Sequence, residues 1–280
     1  MKIRCVYLAA GNSRRFGKNK LFHMVGQKPM YLHLLDRLAA VAERHKELEI
    51  VVVSQYEELL QEAVGEGHGP VCDPSVEKER RALLAGSGRL YPVYSPQSRE
   101  GVSHSIRAGI LAGMPGSSPI SGMCRQEAGR EPDAYVFFVA DQPWLSERTV
   151  ETFLEFMKKV SDGDRESHPI GCISCLGEPG NPVWFSAFYK DELLALSGDR
   201  GGKRVMKAHM DQVHFFEVEE ERELWDVDTL EDQAGRESRD IHGKKKGVSY
   251  ETRIQRNILS VQKYGGNKKI LYHCFRAPRL

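Results

Sequence analysis

No apolar run in this 280-residue sequence approaches the roughly 20 residues that a membrane-spanning helix needs. The opening stretch, Met1 to Gly11, is too short and too quickly broken for a signal peptide. Both absences lead to the expectation of a cytoplasmic protein with no membrane partner. Cysteine is sparse and scattered: Cys5, Cys72, Cys124, Cys172, Cys175 and Cys274 fit a reducing compartment better than a disulfide scaffold. Cys172 and Cys175 form a lone Cys-x-x-Cys with no second pair to complete a zinc site. His104, His209 and His214 stand alone, without metal-site spacing. No Gly-Lys-Ser/Thr phosphate loop and no Gly-x-Gly-x-x-Gly fingerprint occurs near the N-terminal glycines. No internal repeat is found.

What is there is an ordinary globular composition, 40% hydrophobic and 28% charged, with an uneven charge distribution beneath a net charge of +1. Residues 236–280 hold 12 Lys+Arg and 3 Asp+Glu, a net of +9, which leaves residues 1–235 at −8. The tail lacks periodic apolar positions, carries Lys244, Lys245 and Lys246, and reads as solvated and mobile. It has few aromatics and no nucleic-acid-binding module, so nucleic acid is not expected as a partner. Gly113–Pro132 reads as a long surface loop.

The body alternates strands and helices. Ile3–Ala9, Glu49–Ser54, Ala134–Ala140, Ile170–Cys175 and Val213–Val218 read as strands. Pro29 suits the start of a helix whose Leu34, Leu35, Leu38, Val41 and Ala42 share a face. Tyr56–Val64 is helical in pattern, and Ser146 can cap a helix carrying Val150, Phe153, Leu154 and Met157 inward. This alternation predicts an α/β fold with a mainly parallel sheet.

Three places suit chemistry. After the first strand, Ala9, Ala10 and Gly11 allow close backbone approach, with Gly11 free to take positive φ. Arg15 and Lys20 add charge that a polyphosphate needs, although a βα turn with a solvated basic cluster has the same appearance. Asp141 ends the Ala134–Ala140 strand, where open α/β sheets bind ligands, and suits Mg²⁺; it could equally begin the turn before the next helix. Asp226 and Asp228 would face one side of an extended segment, suiting a metal or merely complementing a helix dipole.

Taken in order, these segments resemble the MobA-like NTP transferases, and among them the molybdenum cofactor cytidylyltransferases. Leu8–Lys20 matches Leu-Ala-Ala-Gly-x-Ser-x-Arg-x-Gly-x-x-Lys. Glu100–Gly109 resembles Gly-x-Ser-x-Ser-x-Arg-Ala-Gly, Ala140–Leu145 resembles Asp-x-Pro-x-Leu, and Gly180–Phe185 resembles a Gly-His-Pro-x-x-Phe loop. Gly198–Gly202 and the stretch Asp226–Asp232 complete the set, over roughly residues 3–235. The resemblance implies a Rossmann-like three-layer α/β/α nucleotidyltransferase domain over residues 1–235. It implies Arg15, Lys20 and Asp141 as catalytic residues, and nucleotide contacts from Leu8, Ala9, Ala10, Gly11, Ser13, Arg15, Lys20, Ser105 and Arg107. Mg²⁺ would be held by Asp141 and Asp228, and an acceptor by Gly180, Asn181 and Pro182. CMP would pass from CTP to the molybdopterin cofactor, with a molybdoenzyme or its maturation factor as a possible partner. The Leu-Ala-Ala-Gly loop differs from the Leu-Ala-Gly-Gly of guanylyl-transferring relatives. Asn181 stands where histidine is usual, and Ser95-Pro96 where Asn-Pro is common. A different acceptor (a sugar phosphate or small alcohol) and a non-catalytic cofactor-binding or chaperone protein are the alternative readings.

Deleting residues 243–280 is expected to leave the thermal midpoint nearly unchanged, because that segment lacks the apolar periodicity to bury a face. A large fall in Tm by scanning calorimetry would show instead that it packs.

Overall fold

A computed structural model describes residues 1–11, 19–66, 76–113, 130–163 and 167–227. The basic tail lies outside the described residues, as does most of the Gly113–Pro132 stretch. The strands are β1 (Ile3–Leu8), β2 (Met24–Val25), β3 (Lys28–Pro29), β4 (Leu48–Ser54), β5 (Leu90–Tyr94), β6 (Ala134–Val139), β7 (Ile170–Cys175), β8 (Glu178–Ser186) and β9 (Val213–Glu217). The helices are α1 (Met30–Arg44), α2 (Glu57–Ala63), α3 (Val76–Gly86), α4 (Val102–Leu111), α5 (Glu147–Gly163), α6 (Lys190–Leu194) and α7 (Lys203–Ala208). Among the described residues seven strands form one sheet in the order β5-β4-β1-β6-β8-β7-β9, and β2 and β3 form a small antiparallel ribbon.

Layering follows from alternation along the strands. Ile3, Cys5, Tyr7, Ile50, Val52, Val136 and Phe138 face one side, where they pack with apolar residues of α1, α2 and α5. Val6, Val51, Val53, Tyr135 and Phe137 face the other, against α4, α6 and α7. The result is a three-layer α/β/α fold of Rossmann-like type, with a mostly parallel sheet. α1 begins at Met30 with Pro29 as its cap residue, and α5 is capped by the Ser146 hydroxyl, which accepts the Thr149 N–H at 3.1 Å.

The chain builds β4 and β5 on one side of β1 and then crosses to place β6 on its other side. Strand order therefore reverses at β1, and a crevice opens beyond the carboxyl ends of β1, β4 and β6. Across β1 and β4, buried Arg4 and Glu49 sit directly opposite and pair at 2.5 Å. The Arg4 guanidinium also donates to the carbonyls of Ile110 and Ala112 at 2.8 and 2.9 Å, which ties the end of α4 to the sheet. Unpaired, either charge would be costly in this interior; paired and hydrogen-bonded, both are tolerated.

The sequence pattern does not mark α4, α6, α7 or the β2–β3 ribbon, and three further elements that escape it have a plain physical reason. α3 and β5 are short, α3 has few buried positions, and β5 contains Pro92, which is tolerated because β5 is an edge strand. The third correction is more instructive. Gly180–Phe185 reads as a loop in the sequence but belongs to β8, the antiparallel strand between β6 and β7. Cys172 pairs with Val183 whereas Ser174 pairs with Pro179, so β8 carries two extra residues within Gly180–Pro182. That bulge accommodates Pro182, which a regular central ladder would exclude.

Two distant motifs interlock at one glycine. Gly101 opens α4 at φ 147°, and a Cβ there would lie 2.3 Å from the Gly198 carbonyl carbon. Ser103 N–H donates to the Gly198 carbonyl at 3.1 Å. Gly101→Ala combines backbone strain with overlap against main chain, so it should cost about 2–5 kcal/mol. A chemical-denaturation midpoint lowered at unchanged slope is the expected result, and wild-type stability would contradict it.

Candidate functional site

β1 is buried on both faces, so the chain leaves the sheet at Leu8 with its backbone at the floor of the crevice. The ladder continues one step further, with Ala9 N–H donating to the Val53 carbonyl at 2.9 Å and Ala140 N–H to the Leu8 carbonyl at 3.1 Å. The small residues Ala9 and Ala10 are themselves buried. Three consecutive residues at the end of β4 then take the next three carbonyls of this turn. Ser54 Oγ donates to Ala9 O at 2.8 Å, Gln55 Nε2 to Ala10 O at 2.6 Å, and Tyr56 OH to Gly11 O at 3.4 Å. With these acceptors engaged and the Ala9 N–H given to Val53, the N–H groups of Ala10 and Gly11 are the polarity this turn can offer a ligand, as a phosphate or a base acceptor requires.

Gly11 departs from expectation in one respect: its φ is not positive. Its smallness is the relevant property instead, since among the described residues a Cβ there would meet nothing within 4 Å. The residues that follow, including Ser13 and Arg15, lie outside the described residues.

Lys20 returns at the start of a short 3-10 turn and meets Asp141 across the crevice, Nζ to Oδ2 at 2.8 Å. The pair is largely sheltered, with side-chain exposures of 12% and 24%, so a residual solvent path reaches the carboxylate. The loop carrying Asp141 is held from two sides. Arg37 on α1 donates to the carbonyls of Pro143 and Leu145 at 2.6 and 2.8 Å. From the chain's last described stretch, Glu223 accepts the Ser146 N–H at 3.0 Å, and Val227 N–H donates to the Asp141 carbonyl at 3.0 Å. Val227 is buried with Val25, Met30 and Trp144, which anchors that contact. Gln142 is almost fully buried and donates to the Leu224 carbonyl at 3.2 Å. The segment entering the Asp226–Asp232 motif thus runs directly beside Asp141, while Asp228 itself lies outside the described residues.

Two other expected nucleotide contacts have internal partners. Ser105 Oγ donates to Ser98 Oγ at 2.7 Å in a buried hydroxyl chain that continues to Ser95. Arg107 donates to the carbonyls of Leu194 and Leu196 at 3.1 and 3.0 Å, so its guanidinium ties α4 to the end of α6. Gly180, Asn181 and Pro182 form the bulge of β8, on the side where the β6 register runs on past Val183 toward Asp141.

Burial sets the ionisation of the groups around the site. Tyr7, beneath it, donates to the Tyr31 carbonyl at 2.6 Å, and burial, reinforced by the Asp141 charge, raises its pKa far above the usual phenol. Burial pushes the Cys172 thiol up to about 12, away from the thiolate that redox chemistry needs, and Cys172 and Cys175 pack on opposite faces of the sheet. Trp184 is core, and Trp144 and Trp225 pack edge to face at 6.4 Å. Sequence reasoning missed Arg37, Ser54, Gln55, Tyr56 and Glu223. The one available signal was the abrupt onset of polarity at Ser54-Gln55 after four apolar strand residues.

The MobA-like NTP transferase domain family matches residues 5–213, and the chain belongs to that family. An NTP substrate follows from that membership. The chain is 26% identical to the purine catabolism protein PucB of Bacillus subtilis (strain 168) over 229 residues, 81% of this chain and 92% of that one. A shorter stretch of 62 residues, 22% of this chain and 32% of the other, is 40% identical to a probable molybdenum cofactor guanylyltransferase of Pyrococcus horikoshii. Among solved structures, Rv0371c from Mycobacterium tuberculosis H37Rv superposes with a TM-score of 0.54 at 21% identity, over 84% of this chain and 97% of that one. No helix among the described residues is long and apolar enough to cross a membrane.

Because Gly11 has no positive φ and, among the described residues, no neighbour for an added methyl, Gly11→Ala should leave the Tm within about a degree of wild type. The methyl would occupy ligand space, so the KM for NTP should rise by on the order of tenfold. Unchanged NTP kinetics in a stably folded Gly11→Ala protein would remove this turn from the nucleotide site.

Proposed function

We propose that the protein is a Mg²⁺-dependent cytidylyltransferase that passes CMP from CTP to the terminal phosphate of the molybdopterin cofactor, releasing pyrophosphate. The observation that carries the nucleotidyl-transfer reading is the Lys20–Asp141 pair beside a turn whose carbonyls are all engaged. It brings a phosphate-suited cation, a metal-suited carboxylate and the amides of Ala10 and Gly11 to one end of the sheet. The short match to a probable molybdenum cofactor guanylyltransferase supports an acceptor of that type. Ala10, where guanylyl-transferring relatives carry glycine, supports cytidine.

The donor chemistry fits Mg²⁺. Among the described residues no group of three or more His, Cys, Asp or Glu is gathered for a metal. Mg²⁺ asks for less: one or two carboxylates, with substrate phosphates and water completing the octahedron. Asp141, hard-oxygen and partly open, supplies one, and Asp228, one residue beyond the anchored Val227, supplies the second. When bound, the ion would contribute Lewis-acid charge at the triphosphate.

The chain's own residues do the rest. An acceptor phosphate oxygen attacks the α-phosphorus, the bond to the bridging oxygen breaks, and pyrophosphate leaves with the electron pair. Lys20 and Arg15 stabilise the negative charge that grows on the phosphate oxygens, and the Ala10 and Gly11 amides orient the nucleotide. Gly180, Asn181 and Pro182 border the acceptor side, where the bulge gives a strand the irregular backbone that a second substrate needs. A molybdoenzyme or its maturation factor would then receive the product.

Incubation with each NTP in turn, Mg²⁺ and purified molybdopterin cofactor tests the reading through pyrophosphate release. Release is expected with CTP plus cofactor and not with either alone; equal kcat/KM for GTP and CTP would overturn the cytidylyl assignment. Asp141→Asn should lose on the order of 10²–10³-fold in kcat while keeping its Tm. Near-wild-type turnover in that variant at saturating Mg²⁺ would take Asp141 out of the metal site.

A further inference from the structure

We infer that Arg99 and Gln55 form a positioning relay that sets the nucleotide turn, with Arg99 acting through Gln55 on the Ala10 carbonyl. The inference rests on the nucleotide reading of the Ala9–Gly11 turn and adds to it two residues outside the family motifs.

Gln55 is 4% exposed at the end of β4, so both ends of its amide must be satisfied within the protein. Its Nε2 donates to the Ala10 carbonyl at 2.6 Å, and its Oε1 accepts from Arg99 Nε at 2.8 Å. An amide can turn by 180° and exchange its donor and acceptor ends, and the two orientations differ little in shape. The guanidinium removes that freedom. Arg carries donors and no acceptors, so it fixes Oε1 toward itself and Nε2 toward Ala10 O. The opposite orientation would set Oε1 against the Ala10 carbonyl and Nε2 against a cation.

Arg99 reaches this contact from an exposed position on the turn Pro96–Glu100, which Ser95 attaches to β4 through its N–H to the Ser54 carbonyl at 2.8 Å. The same β4 end therefore holds the turn at Ala9 through Ser54 and at Ala10 through Gln55. Among the described residues, the second contact is the one braced by a side chain from another segment. Removing Arg99 takes nothing from the core, yet it releases the amide that holds the residue proposed to select the base.

Equilibrium binding of CTP and GTP to the full chain by calorimetry, without acceptor, tests this alongside steady-state KM and kcat. Arg99→Ala and Gln55→Ala should each weaken CTP binding by about five- to tenfold, at unchanged Tm for the arginine variant and unchanged acceptor KM for both. Because the two act in series, the double variant should be no weaker than Gln55→Ala alone. Arg99→Lys, which retains a donor, should recover most of the affinity, and Gln55→Glu, which loses the donor to Ala10, should not. Effects of Arg99→Ala and Gln55→Ala that multiply would overturn the relay and place the guanidinium on the ligand itself. CTP affinity unchanged in Arg99→Ala would overturn it outright while leaving the function intact. Wild-type protein that binds no NTP would overturn the nucleotide reading and this inference together.

Discussion

A backbone turn can serve a ligand only if its own polar groups are settled first, and that constraint organises the crevice of this protein. The turn after β1 must expose amides at close range. A flexible turn would satisfy itself or collect water at the ligand's expense. Here Ser54, Gln55 and Tyr56 settle three successive carbonyls from the neighbouring strand, so the orientation of the turn is a property of the sheet. The parallel β1–β4 pairing, in register from Ile3 opposite Leu48 to Leu8 opposite Val53, is what brings those side chains level with those carbonyls.

The acidic side of the crevice is built on the same logic with different parts. Asp141 lies on a loop, yet Arg37, Glu223 and Val227 bind that loop's backbone at Pro143, Leu145, Ser146 and Asp141 itself. Arg37 is more than half-buried, and desolvation lowers its pKa, with acidic neighbours including Glu223 acting against that fall. Its charge is therefore held by contacts that also hold the loop. Chain segments more than eighty residues apart converge on one carboxylate, and its pairing with Lys20 joins the two sides of the site.

Much of this architecture was legible in the residues alone. β1, β4 and β6 are largely apolar runs rich in β-branched or aromatic residues, β7 is a run of small and apolar residues buried throughout, and α1 and α5 carry apolar positions at helical spacing; such elements read clearly because burial dictates nearly every position. α3 and β5 did not, because α3 buries little and β5 is an edge strand interrupted by Pro92. β8 failed for a different reason. Gly180, Asn181 and Pro182 are turn residues by every local rule, and only a bulge between two partner strands lets them lie in the middle of a sheet.

By itself, then, the sequence determined the α/β class, the order of the parallel strands' apolar cores, and which segments carry phosphate- and metal-suited side chains. Those properties are local, written in spacing and residue type. Tertiary structure decided which of the named residues face the crevice and which brace it. The motif names Arg107 and Ser105, and the fold adds their internal partners, the carbonyls of Leu194 and Leu196 for one and a buried serine chain for the other. Arg37, Gln55 and Arg99 belong to no motif, and the fold gives them to the two loops that matter. A hydrogen-bonding side chain takes its role from the partner that packing places within about 3 Å of it, and no spacing along the chain specifies that partner.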